Sequence, residues 1–201
     1  MLTVAKAKLV SSGGSGLEKL AIRVKGLEKY AVAVGIHEDA GVHKDSGAHV
    51  AKIAAVHEFG GDIKHPGGTR YTKIFGANRF VRNYSSSAME SSGTTSAHII
   101  KIPERSFMRS TFSENEKSYK ASIFRILKKL IKGEGDAKAM MGRFGQKVQN
   151  QIQAKIVSIQ DPPNAKSTIR KKGSSNPLVD SGQMLQSIRW EYLNKDDINS
   201  D

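Results

Sequence analysis

Apolar residues recur along this chain with two periodicities, which predict where strands and helices lie. Residues 30–36, YAVAVGI, alternate valine and isoleucine with small residues, as a half-buried strand requires. Residues 48–59 place apolar side chains at helical spacing and end at a Gly-Gly pair, a natural helix stop. Residues 97–102, AHIIKI, return to a strand pattern, which Pro103 ends.

The segment after Pro103 is predicted to form a long amphipathic helix. Ser113 and Glu116 have the spacing of a capping box. Apolar side chains then recur four residues apart, at Tyr119, Ile123, Leu127 and Ile131. The sequence KGEGD breaks this pattern and ends the helix.

A second long helix follows and is closed by Asp161-Pro162-Pro163. Its apolar residues recur every three or four positions, at Met141, Phe144, Val148, Ile152, Ile156 and Ile159. The two helices are predicted to form a hairpin that packs on a small, mostly antiparallel sheet, giving an α+β fold. Residues 177–193 supply a turn or helical start at Asp180-Ser181-Gly182 and then a last strand of this sheet.

Polar segments set the predicted boundaries of the domain. Residues 1–29 are interpreted as an N-terminal arm with a short helix, and residues 30–192 as a single α+β domain. Within that domain, residues 62–96 are rich in Gly, Ser, Asn and Thr, which predicts a β-rich extended loop or hairpin insertion. Residues 164–176 are predicted to be an exposed basic loop, and residues 193–201 a disordered acidic tail.

Charge changes this picture from a plain α+β domain to one that attracts polyanions. The net charge is +13, and residues 101–175 hold 17 Lys and Arg against 6 Asp and Glu. A basic face of this size suits DNA, RNA or an acidic protein surface, although a solvated lysine-rich helix face explains the same counts. The sequence has no cysteine and no apolar run long enough to span a membrane, so we expect a soluble intracellular protein without disulfides.

The sequence predicts no catalytic or metal site. His37, His43 and His49 are six residues apart, whereas a helical zinc pair needs histidines four apart. No serine lies in a Gly-x-Ser-x-Gly elbow, and no glycine-rich loop has phosphate-binding spacing. Glu134 and Asp136 lie in a Gly-flanked turn that is typical of solvated carboxylates. We therefore expect no enzyme activity, cofactor or metal.

Three phrases of the sequence, in a fixed order, resemble one protein family. The first phrase is AKIAAVHEFGG at 51–61, the second is IPERSFMRSTF at 102–112, and the third is NPLVDSGQMLQSI at 176–188. Together they resemble the tail-completion, or virion-morphogenesis, proteins of tailed bacteriophages. The resemblance covers about residues 30–190 and departs at Glu104, where the family pattern has a smaller residue.

The resemblance implies a structural protein of the virion neck, assembled in the bacterial host cytoplasm. Its subunits would form a homo-oligomeric, six-fold ring between a head connector or portal-side neck protein and a tail terminator or tail tube. Genomic DNA would pass through the ring without sequence-specific contact, and no membrane is involved. The residues of the phrases that we expect to determine the fold, rather than recognition, are His57, Glu58, Phe59, Gly60, Pro103, Arg105, Phe107, Pro177, Leu178, Asp180 and Gly182.

Candidate contacts to the DNA channel or to an acidic partner come from the basic segment. They lie on the second long helix and in the basic loop: Arg143, Lys147, Lys166, Arg170, Lys171 and Lys172. The polar insertion at 62–96 and the N-terminal arm are candidates for segments that a neighbouring subunit orders.

Two other hypotheses compete with this one. A stand-alone basic nucleic-acid-binding protein would explain the net charge, and it predicts a DNA complex at moderate salt. Against it, no helix-turn-helix, zinc finger or aromatic stacking sheet is evident. A metal-dependent hydrolase that uses the histidines predicts bound metal in the purified protein.

Overall fold

The computed structural model describes residues 18, 30–44, 46–68, 70–74, 77–80 and 91–193. The helices are α1 (Val50–Phe59), α2 (Met108–Lys132), α3 (Ala137–Ser158), α4 (Lys166–Lys172) and α5 (Gln183–Gln186), and a 3-10 turn covers Glu38–Ala40. The strands are β1 (Ala31–Ile36), β2 (Gly61–His65), β3 (Arg70–Ile74), β4 (Ala77–Phe80), β5 (Ser91–Thr94), β6 (His98–Ile102) and β7 (Ile188–Leu193). Long helices with small antiparallel sheets make the fold α+β, as the sequence predicts.

The core lies between the β1–β7 pair and helix α3. The two strands are antiparallel, with Ala31 opposite Leu193 and Ile36 opposite Ile188. Helix α3 lies directly on this pair, and α2 packs against α3. The buried side chains at the centre come from α3, from β7 and from the start of α2; they include Val148, Ile152, Ile156, Ile188 and Phe107. The predicted first strand, last strand and second long helix are therefore confirmed.

Two glycines let α3 approach the sheet closely. A Cβ atom at Gly145 would lie 2.9 Å from Cδ2 of Trp190, and one at Gly142 would lie 2.5 Å from the hydroxyl oxygen of Tyr192. The aromatic residues fill this space and also bond to the helix. The indole Nε1 of Trp190 donates to Gln146 at 3.0 Å, and the Tyr192 hydroxyl donates to the Lys138 carbonyl at 2.8 Å. Glycine is thus required here for contact between helix and strand.

The predicted β-rich insertion contains strands. β2 and β6 pair as an antiparallel two-stranded ribbon, from Gly61 opposite Ile102 to His65 opposite His98, where the two imidazoles stack. We call β2 and β6 the ribbon. β3 pairs with both β4 and β5 in a separate three-stranded sheet. Among the described elements, none packs extensively against either assembly, so both stand apart from the core.

Several local predictions are wrong. Helix α2 begins at Met108, so Ser113 and Glu116 lie inside it and form no capping box. Ile131 is exposed and Leu130 is buried in its place, because the apolar stripe shifts by one residue near the end of α2. The basic segment predicted as a loop contains helix α4.

Other predictions fall mostly where the structure is not described. The N-terminal arm lies outside the described residues apart from Glu18, which is helical. The predicted tail lies outside them apart from Leu193, which ends β7. In the part of the chain that is described, no helix has the length and apolar character needed to cross a bilayer.

Replacing Gly145 with alanine should destabilise the fold because its Cβ would overlap the Trp190 ring. We expect a loss of about 1–3 kcal/mol from overpacking, partly offset by about 1 kcal/mol of helix propensity. Urea unfolding measures the change. In a Trp190→Ala background the same substitution should become neutral or stabilising. An equal loss in both backgrounds would show that the close contact is not the cause.

Candidate functional site

A single carboxylate joins the first two phrases. Glu58, at the end of α1, is only 5% exposed. Its two oxygens accept hydrogen bonds from the backbone N–H groups of Phe107, Met108 and Arg109, at 2.8–2.9 Å. These amides lie at the start of α2, where a helix supplies no acceptor of its own. Glu58 therefore caps α2 from another helix, and its negative charge lies at the positive end of the helix dipole.

Further hydrogen bonds hold the Glu58 carboxylate in its charged form. The Ser106 hydroxyl donates to it at 2.7 Å, and the Arg109 Nε donates at 3.1 Å. Burial alone would raise the pKa of Glu58, but hydrogen bonds from the backbone and from Ser106 outweigh burial and lower it. Glu58 is thus a buried anion whose acceptor sites are used by protein donors.

Arg109 covers the outer side of this junction. Its Nη2 donates to the Glu58 carbonyl at 2.8 Å and to the Glu104 carboxylate at 2.6 Å. Hydrogen bonding to Glu58 and Glu104 raises the pKa of Arg109. The guanidinium also lies 4.6 Å from the centre of the exposed Phe59 ring. Glu104 thus pairs with Arg109 in this chain.

Gly60 allows the chain to leave α1 against the end of β6. Its φ is +70°, and a Cβ there would lie 3.0 Å from the Glu104 nitrogen and 3.1 Å from the Ile102 oxygen. Nearby, the Arg105 amide donates to the His57 carbonyl at 2.7 Å. β6 ends at Ile102, so the predicted strand end before Pro103 is confirmed.

Arg105 ties the second phrase to the segment after α3. It is buried, and its guanidinium donates to the carbonyls of Pro162 and Pro163 at 2.7 and 3.3 Å and to the Asn164 side chain at 3.3 Å. Arg105 precedes α2, whereas Arg109 lies inside it, so the two guanidinium groups bind different partners. Phe107 is buried.

The third phrase is held by its own asparagine and by α3. The Asn176 side-chain oxygen accepts from the amides of Leu178 and Val179 at 2.9 and 3.0 Å. Its side-chain nitrogen donates to the Val157 carbonyl of α3 at 2.8 Å. Pro177 and Leu178 are buried, whereas Asp180 is exposed and Gly182 takes a φ of +78° just before α5.

The first and third phrases, together with α4, enclose a cleft of about 890 Å³. Its wall includes His43, His57, Lys172, Asp180 and Ser181. The hydroxyl of Ser181 lies 3.4 Å from Nε2 of His43, a long contact. Among the described residues, Nδ1 of His43 has no hydrogen-bond partner.

His57 is held neutral in this wall. Burial, with the positive charges of Arg105 and Lys172, lowers its pKa to about 4. Its Nδ1 is also buried without a hydrogen-bond partner among the described residues. Within the same part of the chain, no three metal-ligating side chains converge. The contacts of Glu58, Arg105 and Asn176 therefore hold the three phrases and α3 in place.

The predicted DNA contacts do not form one patch. Arg143 lies near the start of α3, which rises about 22 Å from there to its end at Ser158, and α4 follows only after that end. Lys147 donates to Ser118 and Ser122 of α2 at 3.0 and 3.1 Å, and Lys172 donates to the Asn176 carbonyl at 2.8 Å. Arg143, Lys166 and Arg170 are exposed. The side chain of Lys171 is not among those that the structure describes.

In comparisons with family models, curated proteins and solved structures, the chain matches none.

Replacing Glu58 with glutamine should destabilise the protein by about 2–4 kcal/mol, because an amide cannot accept from all of these donors and places its own N–H₂ group among them. Thermal unfolding and urea unfolding measure the loss. The matched control is Glu104→Gln, which removes a half-exposed partner of Arg109 and should cost less than about 1 kcal/mol. Similar losses in both variants would refute the capping role of Glu58.

His57 should make stability depend on pH. Its pKa is about 4 in the folded chain, against 6.5 for an ordinary histidine, so the unfolded chain takes up the proton first. Its contribution is complete above pH 6.5 and is lost as the pH falls towards 4, by at most about 1.4 kcal/mol per pH unit. The free energy of unfolding, measured across this pH window, should depend less on pH in His57→Gln than in the unsubstituted protein. In His98→Gln, the control at an exposed site, the pH dependence should not change. An unchanged slope in His57→Gln would contradict this assignment.

Proposed function

We propose that this protein is a structural subunit of the neck of a tailed-bacteriophage virion. It assembles as a homo-oligomeric, six-fold ring at the head-tail junction, between a head connector and a tail terminator or tail tube. Genomic DNA passes through the ring with non-specific contacts to its basic residues. The proposal assigns no catalytic step to the chain.

The convergence of the three phrases supports this proposal. They are far apart in the sequence, yet Glu58 bonds to Phe107–Arg109 and the third phrase shares a cleft with His57. Because the matching residues contact one another, the resemblance describes one part of the fold. It is therefore stronger than three unrelated short matches. The residues of the three phrases stabilise the fold, which is consistent with a structural role.

The ribbon is the observation on which the ring depends. Ile63 and Ile100 are opposite each other on one face and are 46% and 40% exposed, and Ile99 on the other face is 56% exposed. A two-stranded ribbon that stands apart from its own core is marginally stable in water. Isoleucines on both of its faces would become buried against a neighbouring subunit. In a ring, every subunit both offers a ribbon and receives one.

The mass of the full chain in solution tests the proposal. Sedimentation velocity over a roughly hundredfold concentration range should show one closed assembly with a mass of six times 21.9 kDa. A monomer at every concentration would contradict the ring. A monomer that forms a complex with duplex DNA at physiological salt would instead favour the stand-alone nucleic-acid binder.

Replacing both Ile63 and Ile100 with threonine should prevent assembly and leave the subunit folded. Threonine keeps the β-branched shape that suits a strand and removes the exposed apolar surface. Sedimentation velocity and thermal unfolding give the two readouts. Val157→Thr on α3 is the control, since it changes an equally exposed apolar residue away from the ribbon. Assembly that survives the double substitution would exclude the ribbon from the subunit contact.

A further inference from the structure

The second half of α2 carries positive charge without any negative charge. Residues 117–133 contain six basic residues and no carboxylate. The basic residues are Lys117, Lys120, Arg125, Lys128, Lys129 and Lys132, and we call them the α2 cationic face. All six are exposed.

This face is turned away from the core. At 3.6 residues per turn, its six members fall within about half of the helix circumference. The other half carries Tyr119 and Leu130, which are buried. Lys147 of α3 bonds to Ser118 and Ser122, which lie near one edge of the cationic face. Because α2 already packs on α3 through one side, the cationic face is open to a partner.

Most of these charges are not neutralised within the described part of the chain. Lys120 pairs with Glu116, but no other member forms an ion pair with a described carboxylate. Lys128 lies 6.0 Å from the centre of the Phe124 ring. Lys129 and Lys132 lie in the last turn, where the negative end of the helix dipole offsets part of their charge. Such a row of like charges attracts an opposite charge of similar length.

The chemistry of this face selects a polyphosphate over other partners. A second copy of the chain also carries a charge of +13, so self-association through this face is opposed by repulsion. A membrane-surface helix needs a broad apolar face, whereas only Phe124, 64% exposed, and Ile131 are exposed here among the cations. Two scattered apolar side chains are within what soluble proteins normally expose.

The face is long enough to span several phosphates of duplex DNA. From Lys117 to Lys132 the helix rises about 22 Å, and duplex DNA carries about one negative charge per 1.7 Å of axis. Lysine and arginine side chains without a base-reading loop make phosphate contacts that do not depend on sequence. Such contacts suit DNA that must slide past the protein.

We propose that the α2 cationic face is the surface that contacts the DNA backbone. This assignment rests on the proposed function, in which DNA passes through the ring, and it places the contact on α2, not on the residues Arg143, Lys166 and Arg170. Binding is weak, independent of sequence and steeply dependent on salt.

The test compares two triple variants with equal charge changes. One replaces Lys117, Arg125 and Lys128 with glutamine, and the control replaces Arg143, Lys166 and Arg170 with glutamine. Fluorescence anisotropy with a duplex of about 30 base pairs measures affinity against salt. The α2 variant should bind about tenfold or more weakly at about 100 mM salt, and its salt slope should fall by up to about 2.7, since each lost phosphate contact removes about 0.9. The affinity of the control variant for DNA should stay within about threefold of that of the unsubstituted protein.

Three results would overturn the assignment. The first is equal loss in both variants, which would show an effect of net charge alone. The second is full binding by the α2 variant. The third is failure of the unsubstituted protein to bind duplex DNA at low salt, whether or not it binds phosphatidylserine vesicles. Circular dichroism confirms that each variant is folded, and sedimentation of the same samples shows whether the ring itself persists, so failure of the DNA contact is separable from failure of the ring.

Discussion

The rest of this structure depends on the cap that Glu58 places on α2. Four amide and hydroxyl donors from Ser106 to Arg109 converge on one buried carboxylate, which fixes where α2 begins and how α1 meets it. Two further links extend from this point. Arg105 holds the segment after α3, and Gly60 lets the chain turn into the ribbon. A buried charge is costly unless it is fully hydrogen-bonded, so this arrangement tolerates little change.

Periodicity was sufficient to predict the elements that form the core. β1, α1, α3 and β7 all have a clear apolar repeat, and each lies where its pattern indicates, as does β6 in the ribbon. The start of α2 could not be predicted, because its capping group is 49 residues away in the sequence and the nearer Ser113 and Glu116 offered a local alternative. Helix α4 was missed because its seven residues, KSTIRKK, are too short and too basic to show an apolar stripe.

In the candidate site, as in the fold, local sequence patterns were predictable and contacts between distant residues were not. The residues of the three phrases could be identified from the sequence, but their contacts with one another depend on tertiary structure. The proposed partner surfaces lie elsewhere. The isoleucines of the ribbon are apolar residues in a strand, and only the structure shows that they are exposed. On α2, the run of cations without a carboxylate was visible in the sequence, yet its outward orientation depends on how α2 packs against α3.

The central claim is that the phrases build the scaffold and leave the ribbon and α2 free for partners. Amide hydrogen exchange at Phe107, Met108 and Arg109 tests the first part most directly. The first amides of an ordinary helix lack intrahelical acceptors and exchange quickly. Here they should exchange as slowly as the amides of Ile152 and Ile188 in the core, because they open only when Glu58 is released. Rapid exchange at these three amides, with the core still protected, would contradict the account.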